Sequence, residues 1–177
     1  MASSSASAPN KDNGIYQNEI LMWINDCLTI PRASDKQEEV YVFADFNVKY
    51  VEVIGTIAGI QRLHNSSVRY KVDDGTGSVN VMYYLDRPEI RERYNSCVEL
   101  KSSLQLLNYM MDKMIKVHEA DRTPRNIGEY VHVIGRLYEY HEQRNIKAYY
   151  LRVLTQNEVT SMFLKLTRLY QDVYKKK

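Results

Sequence analysis

The sequence predicts a mainly β domain: one small five-stranded barrel with a helix at each end and another helix in the middle. Two observations predict it. The hexapeptide Tyr-Val-x-Val-Ile-Gly occurs at 50–55 and again at 130–135. In addition, three predicted strands, a helical segment and two further strands follow one another along the chain. At 177 residues the chain has the length of a single domain.

The repeated hexapeptide predicts two long, bent strands. In each copy two valines flank one polar residue, which is the alternation of a strand with one buried face. The glycine that ends each copy, Gly55 or Gly135, is typical of the bulge or bend that long strands need to close a small barrel. We interpret the two copies as neighbouring strands. Chance recurrence of short valine-rich strings is the alternative.

The other strands are predicted from alternation and turn residues. Apolar residues alternate with Arg69 and Lys71 in the second strand. Asp73-Asp74-Gly75-Thr76-Gly77 is a hairpin turn, because Asp and Gly tolerate positive φ, and this role explains the paired carboxylates. The predicted strands are 50–60, 68–72, 79–84, 129–140 and 146–154.

Three segments have helical spacing: 15–28 before the barrel, 100–118 between the third and fourth strands, and 157–174 at the carboxyl end. The apolar residues of the central segment, including Met111 and Met114, are expected to belong to the core. Lone His118 and His132 are expected to be structural. Residues 1–14, rich in Ser and Ala, are predicted to be a disordered leader, and residues 15–177 one domain.

The predicted order of elements, three strands followed by a helix and two strands, is that of the OB-fold. The OB-fold is a Greek-key barrel in which the first and fourth strands are neighbours. Val51–Gly55 and Tyr70–Gly77 (YKVDDGTG) resemble the OB domain of the replication protein A middle subunit. They resemble still more closely the middle subunit of the telomeric CST complex or its fly terminin counterpart. The resemblance covers residues 15–174. Those families usually continue into winged-helix modules, whereas this sequence ends here, so a short form and a part of a longer protein both stay open.

The resemblance implies a non-catalytic subunit that protects single-stranded telomeric DNA at chromosome ends in the nucleus. It also implies a small OB-fold partner bound to the carboxyl-terminal helix, and a larger subunit in the same complex. Two alternatives stay open: a scaffold that binds only proteins, and the general replication protein A subunit acting genome-wide.

A basic groove is the predicted nucleic-acid site. Ligands of OB-folds lie across the second and third strands, between the 1–2 and 4–5 loops. Cations there follow phosphates, while bases stack on aromatic rings. The candidate residues are Arg62, His64, Arg69, Lys71, Tyr84, Arg144 and Lys147. The alternative is that Arg69 and Lys71 form only the solvated side of an antiparallel sheet.

The carboxyl-terminal helix is the predicted partner interface. A helix that only covers its own barrel needs one apolar face, and this helix has a wider stripe. The stripe consists of Val159, Met162, Phe163, Leu166, Leu169, Tyr170 and Val173. An intramolecular cap on the barrel is the alternative.

Composition narrows the remaining function classes. The net charge of +2 is weak evidence for a nucleic-acid partner. Cys27 and Cys97 have no CxxC spacing, which indicates a reducing compartment without a disulfide framework. No apolar run has the length of a membrane span. The sequence contains no recognisable catalytic motif, so we expect no enzyme, no cofactor and no metal site.

Overall fold

A computed structural model describes residues 19–33, 39–63, 66–85 and 123–174. The strands are β1 (Ile20–Leu21), β2 (Tyr41–Phe43), β3 (Phe46–Val48), β4 (Tyr50–Arg62), β5 (Ser67–Asp73), β6 (Ser78–Tyr84), β7 (Tyr130–Tyr140) and β8 (Gln143–Val153). The helices are α1 (Ile24–Thr29) and α2 (Gln156–Leu169), and α2 is followed by a π-helical turn, Tyr170–Tyr174. The predicted leader, the central helix with His118, and His64 lie outside the described residues.

Five strands close into a barrel. The order β4-β5-β6-β8-β7 returns to its start because β7 also pairs with β4. All pairs are antiparallel except β6 with β8, which are parallel. This closed barrel with its carboxyl-terminal helix confirms the predicted fold class.

The two copies of the hexapeptide are neighbours, as predicted. They run antiparallel with Val53 opposite Val133. β4 pairs with β7 up to Thr56 and with β5 from Thr56 onward, so Gly55 lies where β4 changes partner. The extra residue in the β4–β5 pair is Ala58 of β4, and that in the β7–β8 pair is Tyr149 of β8. Gly135 therefore lies next to a bulge on the partner strand and is not itself the bulged residue, while an added Cβ at Gly55 would lie 2.7 Å from Asp73 O.

The amino-terminal segment differs from the predicted helix over 15–28. Its described part begins as strand β1, which is parallel to β4, and only Ile24–Thr29 is helical. The hairpin turn fixes the start of α1, because Asp74 Oδ2 accepts a hydrogen bond from Ile24 N (2.8 Å) and Thr76 Oγ1 accepts one from Asn25 N (3.2 Å). The turn thus reverses the chain and also positions the first residues of α1.

Two apolar clusters stabilise the fold. The larger one fills the barrel and includes the fully buried side chains of Tyr41, Tyr70 and Leu137. The smaller one lies between the outer side of β4 and α2. Within the described ranges, no helix combines the length and apolar character needed to cross a membrane.

We expect Gly135→Ala to lower the free energy of unfolding by about 1–3 kcal/mol, since the added Cβ forces a backbone shift. That Cβ would lie 2.5 Å from Lys147 O and 2.7 Å from the Cα of Ala148. Gly59→Ala is the matched control, because its nearest new contact is Lys71 Cβ at an ordinary 3.5 Å. Urea denaturation measures both. Equal midpoints for the two variants would contradict a closure constraint at Gly135.

Candidate nucleic-acid groove and partner helix

Cross-strand pairing brings predicted groove residues to one outward face of β5, β6 and β8. Arg69 lies opposite Met82, and Met82 lies opposite Lys147. In the adjacent row Lys71 lies opposite Asn80. Side chains alternate across a strand, and the residues between these are buried, so this face is the outside of the barrel.

Tyr84 gives the groove an exposed aromatic ring. Its side chain is 39% exposed at the end of β6. Lys147 Nζ lies 5.4 Å from the ring centroid, within the range of a cation–π contact. Tyr84, Lys147, Arg69 and Lys71 are thus on the same side of the barrel, as predicted.

Two predicted groove residues lie elsewhere. Arg62 pairs in register with the inward residue Val68, so it lies at the mouth of the barrel. Arg144 is held in place: its Nε donates to Glu139 Oε2 (3.0 Å), Nη1 donates to Ile30 O (3.2 Å), and the guanidinium stacks 4.2 Å from the Tyr41 ring centroid. Its role in this structure is packing.

The remaining cations of the groove have no acidic partner in the part of the chain that the structure describes. Arg69 donates a hydrogen bond to the neutral amide of Gln61 at 3.2 Å. Within the described ranges, no carboxylate forms an ion pair with Arg69, Lys71 or Lys147. Unpaired cations on one face attract a polyanion more strongly than cations neutralised by neighbouring acids.

Tyr138 is a groove residue that sequence reasoning missed. It lies opposite Asn145, which pairs with Asn80 of the groove. Burial raises the pKa of Tyr138, and the nearby charge of Arg69 opposes that rise. The ring is therefore half-buried beside the cations. The alternation of β7, with Leu137 inward, was the signal that could have placed it.

Helix α2 begins at a defined capping site. Glu158 Oε2 accepts hydrogen bonds from Thr155 N and Thr155 Oγ1, both at 2.8 Å. Arg152 Nη1 donates to Glu158 Oε1 at 2.7 Å. The bonds from Thr155 and Arg152 lower the pKa of Glu158 to about 2. This cap fixes the direction in which α2 leaves β8.

The centre of the predicted interface stripe packs on the protein's own barrel. Val159 and Leu166 are buried against Leu21, Ile54 and Leu154. These two side chains are out of a partner's reach in this arrangement. Val159 and Leu166 therefore fit the alternative interpretation of the helix as an intramolecular cap on the barrel.

Aromatic residues hold the distal end of α2 and the following turn. Phe163 stacks on Trp23 with ring centroids 5.7 Å apart. The Tyr170 hydroxyl accepts a hydrogen bond from Trp23 N (3.1 Å) and donates one to the Asp26 carboxylate. Tyr174 donates to a backbone carbonyl at 3.2 Å. The Phe163 and Tyr170 rings are therefore half-buried against the amino-terminal segment.

One flank of α2 remains open to solvent. Val173 is 47% exposed, and Leu164, which sequence reasoning missed, is 55% exposed. Met162 and Leu169 are half-buried at the edge of the packed face. A shallow groove runs along this flank and is lined by Ser161, Leu164, Lys165, Arg168, Leu169, Asp172 and Val173.

A partly buried histidine–carboxylate hydrogen bond lies on the outer side of β4 and β7. His132 Nε2 is 2.8 Å from Glu52 Oε1, and this hydrogen bond lowers the pKa of Glu52. Because the folded pKa lies below the unfolded one, the pair stabilises the fold at neutral pH. That contribution is lost as the pH falls through the folded pKa of Glu52. His132 thus has a structural role, and no metal-binding cluster of His, Cys, Asp and Glu occurs in the described ranges.

We expect Leu166→Ala to lower the free energy of unfolding by about 2–5 kcal/mol, because it leaves a cavity between α2 and the barrel. Leu164→Ala on the same helix removes an exposed side chain and should change stability by less than about 0.5 kcal/mol. Urea denaturation of both variants measures the difference. Similar losses, or none for Leu166→Ala, would contradict the docking of α2.

The chain is similar in sequence to curated proteins and similar in fold to solved structures. No family model matches the chain. The chain is 27% identical over 158 residues to the CST complex subunit STN1 of Macaca fascicularis and to that of Homo sapiens. Each alignment covers 86% of this chain and 41% of the relative, so the chain spans less than half the length of these relatives.

Two solved structures have a similar fold. The replication protein A heterotrimer bound to single-stranded DNA contains a chain with a TM-score of 0.59 and 18% identity, covering 89% of this chain and 98% of that one. The Stn1–Ten1 complex of S. pombe gives a TM-score of 0.57 and 17% identity, with coverages of 87% and 92%. The chain is therefore an OB-fold of the kind found in replication protein A and Stn1, with sequence similarity to STN1.

Proposed function

We propose that this chain is a non-catalytic subunit of a telomere-capping complex related to replication protein A. In this proposal it binds single-stranded DNA through the basic groove and assembles through α2. The observation that carries it is the placement of Arg69, Lys71 and Lys147, which no carboxylate of the described residues pairs with, on the same outward face as Tyr84. The proposal includes a nuclear location at chromosome ends, which the similarity to STN1 supports.

The chemistry of the groove suits a single strand better than a duplex. Three flexible cations supply phosphate contacts without base readout. Tyr84 offers a planar face that an unpaired base can stack on, and such stacking contributes about 1–3 kcal/mol per base. Bases inside a duplex are already stacked and do not present that face.

Assembly is proposed to use the open flank of α2. Leu164, Leu169 and Val173 form an apolar strip beside Lys165 and Arg168. Such a strip, with a polar rim, is typical of the contact between two helices. The S. pombe protein of similar fold forms a complex with Ten1. We propose that a small OB-fold protein binds this flank and that a larger subunit completes the complex.

A pure protein scaffold is the second candidate. It is favoured by the placement of Arg62 and Arg144, since neither lies in the groove and Arg144 is neutralised by Glu139. The groove then holds fewer cations than the sequence predicted. The general replication protein A middle subunit is a third candidate because its fold is also similar.

We expect the double variant Arg69→Glu/Lys71→Glu to lose affinity for single-stranded DNA. Losing two phosphate contacts should make the dependence of log K on log salt shallower by about 1.4 or more, at 0.7 per contact. Fluorescence anisotropy with telomeric, random single-stranded and duplex DNA measures this, with and without the partner. Lys165→Glu/Arg168→Glu changes the net charge equally but lies on α2, outside the basic groove. Because these two residues flank the proposed partner surface, this control is compared only in the absence of the partner.

The four outcomes separate the candidates. Loss in the groove variant alone supports direct DNA binding, and equal loss in both variants indicates only a net-charge effect. Unchanged affinity and salt slope in the groove variant would favour the scaffold. A preference for telomeric over random single strands separates the telomeric role from the genome-wide one.

We expect Leu164→Glu/Val173→Glu to abolish the heteromer while leaving the fold intact, since both residues are exposed and a buried charge is costly at an interface. Co-expression with a small OB-fold partner, followed by light scattering on the purified complex, measures assembly. Thr160→Glu is the control, because it is exposed on α2 outside the shallow groove. Full assembly of the double variant would exclude this flank as the interface.

A further inference from the structure

A row of outward residues continues from the groove across two more strands. Lys147 in β8 lies opposite Arg136 in β7, and Arg136 lies opposite Tyr50 at the start of β4. Neighbouring strands are about 4.8 Å apart, so the row extends roughly 10 Å beyond Lys147. OB-fold ligands are expected on the second and third barrel strands, here β5 and β6. This extension lies outside those two strands.

The row and its neighbour contain no acidic residue. The first row is Gln61, Arg69, Met82, Lys147, Arg136 and Tyr50. The second is Gly59, Lys71, Asn80, Asn145 and Tyr138. An ordinary solvated surface carries both signs of charge interspersed, whereas these two rows carry cations, neutral polar groups and aromatic rings only.

Arg136 retains hydrogen-bonding capacity. The nearest carboxylate, Glu39 Oε2, lies 4.0 Å from Arg136 Nη2, and both side chains are partly exposed. An ion pair at that distance in solvent contributes little. Arg136 Nε is buried, so a ligand would reach only the Nη end of this partly exposed side chain. A guanidinium whose Nη end faces solvent on this row is suited to a phosphate.

An aromatic pair ends the row. The Tyr50 and Tyr149 rings meet edge to face, with centroids 6.0 Å apart, and Tyr149 is 42% exposed. Tyr149 is the extra residue of the bulge, because the register passes from Ile134–Tyr150 to Gly135–Ala148. A bulge re-aims a side chain. The edge-to-face contact with Tyr50 positions the ring, and the Tyr149 hydroxyl also donates a hydrogen bond to the Glu19 carboxylate.

We infer that the single strand leaves the groove over Lys147, contacts Arg136 through a phosphate and stacks its last bound base on Tyr149. The inference rests on the proposed DNA binding of the groove. The Glu19 carboxylate repels a further phosphate, so the path ends at the aromatic pair. The bulge in β8 beside Gly135 then presents the terminal ring, at the place where the close approach of Gly135 lets the barrel close.

The test compares short and long oligothymidine strands, from about 4 to about 16 nucleotides, the range of site sizes for an OB-fold. Arg136→Gln/Tyr149→Leu in the full chain should bind short strands as the wild type does. Its affinity for long strands should fall at least about fivefold for the lost stacked base. The salt slope should become shallower by about 0.7 for the lost phosphate.

Two single variants keep the result interpretable. Tyr149→Phe retains the ring and should bind long strands like the wild type. Tyr130→Leu removes a different exposed tyrosine, which lies in β7 six residues from Arg136, and should have no effect. Unchanged long-strand affinity in Arg136→Gln/Tyr149→Leu, with loss in Arg69→Glu/Lys71→Glu, overturns the path but keeps the proposed function. If Arg69→Glu/Lys71→Glu also binds short and long strands like the wild type, both the proposed DNA binding and this inference are wrong.

Discussion

The pairing of β4 with β7 is the interaction on which the rest of the structure depends. It closes the barrel, and it fixes the register with Val53 opposite Val133. A slip by one residue would turn every side chain of a strand to the other face. Arg136 would then point into the core, and the valines would point into water. Gly55 and Gly135 permit this closure because neighbouring backbone atoms occupy the space that a Cβ would need.

The docking of α2 is a consequence of that pairing. Ile54 is an outward residue of the first hexapeptide, yet it is 1% exposed because α2 covers it. An apolar residue at an outward position breaks the alternation of the strand and indicates that something packs there. The isoleucine at that point was thus a signal in the sequence for an intramolecular cap. It explains why Val159 and Leu166 face the barrel while Leu164 and Val173 stay exposed.

The barrel strands could be predicted from local sequence patterns, whereas contacts between residues far apart in the sequence could not. Alternation and turn residues sufficed to predict β4 to β8, since the apolar positions of each strand show which of its faces is buried. The helix predicted over 15–28 was wrong at Ile20, because an apolar residue at helical spacing equally suits an edge strand on β4. Arg144 was predicted to lie in the groove but contacts Tyr41 and Glu139 instead, since nothing local in the sequence shows that these residues meet it.

The two halves of β4 separate the proposed surfaces. Its first half, up to Thr56, pairs with β7 and carries Glu52 and Ile54 on the side near α2. Its second half pairs with β5, next to the groove. In the proposed function, three cations that no described carboxylate neutralises, in a chain of net charge +2, would support only modest affinity for DNA by themselves. Held beside other DNA-binding subunits, the same contacts act at a high effective concentration, and modest affinities then combine into tight binding. Assembly through α2 would therefore determine how much the groove contributes.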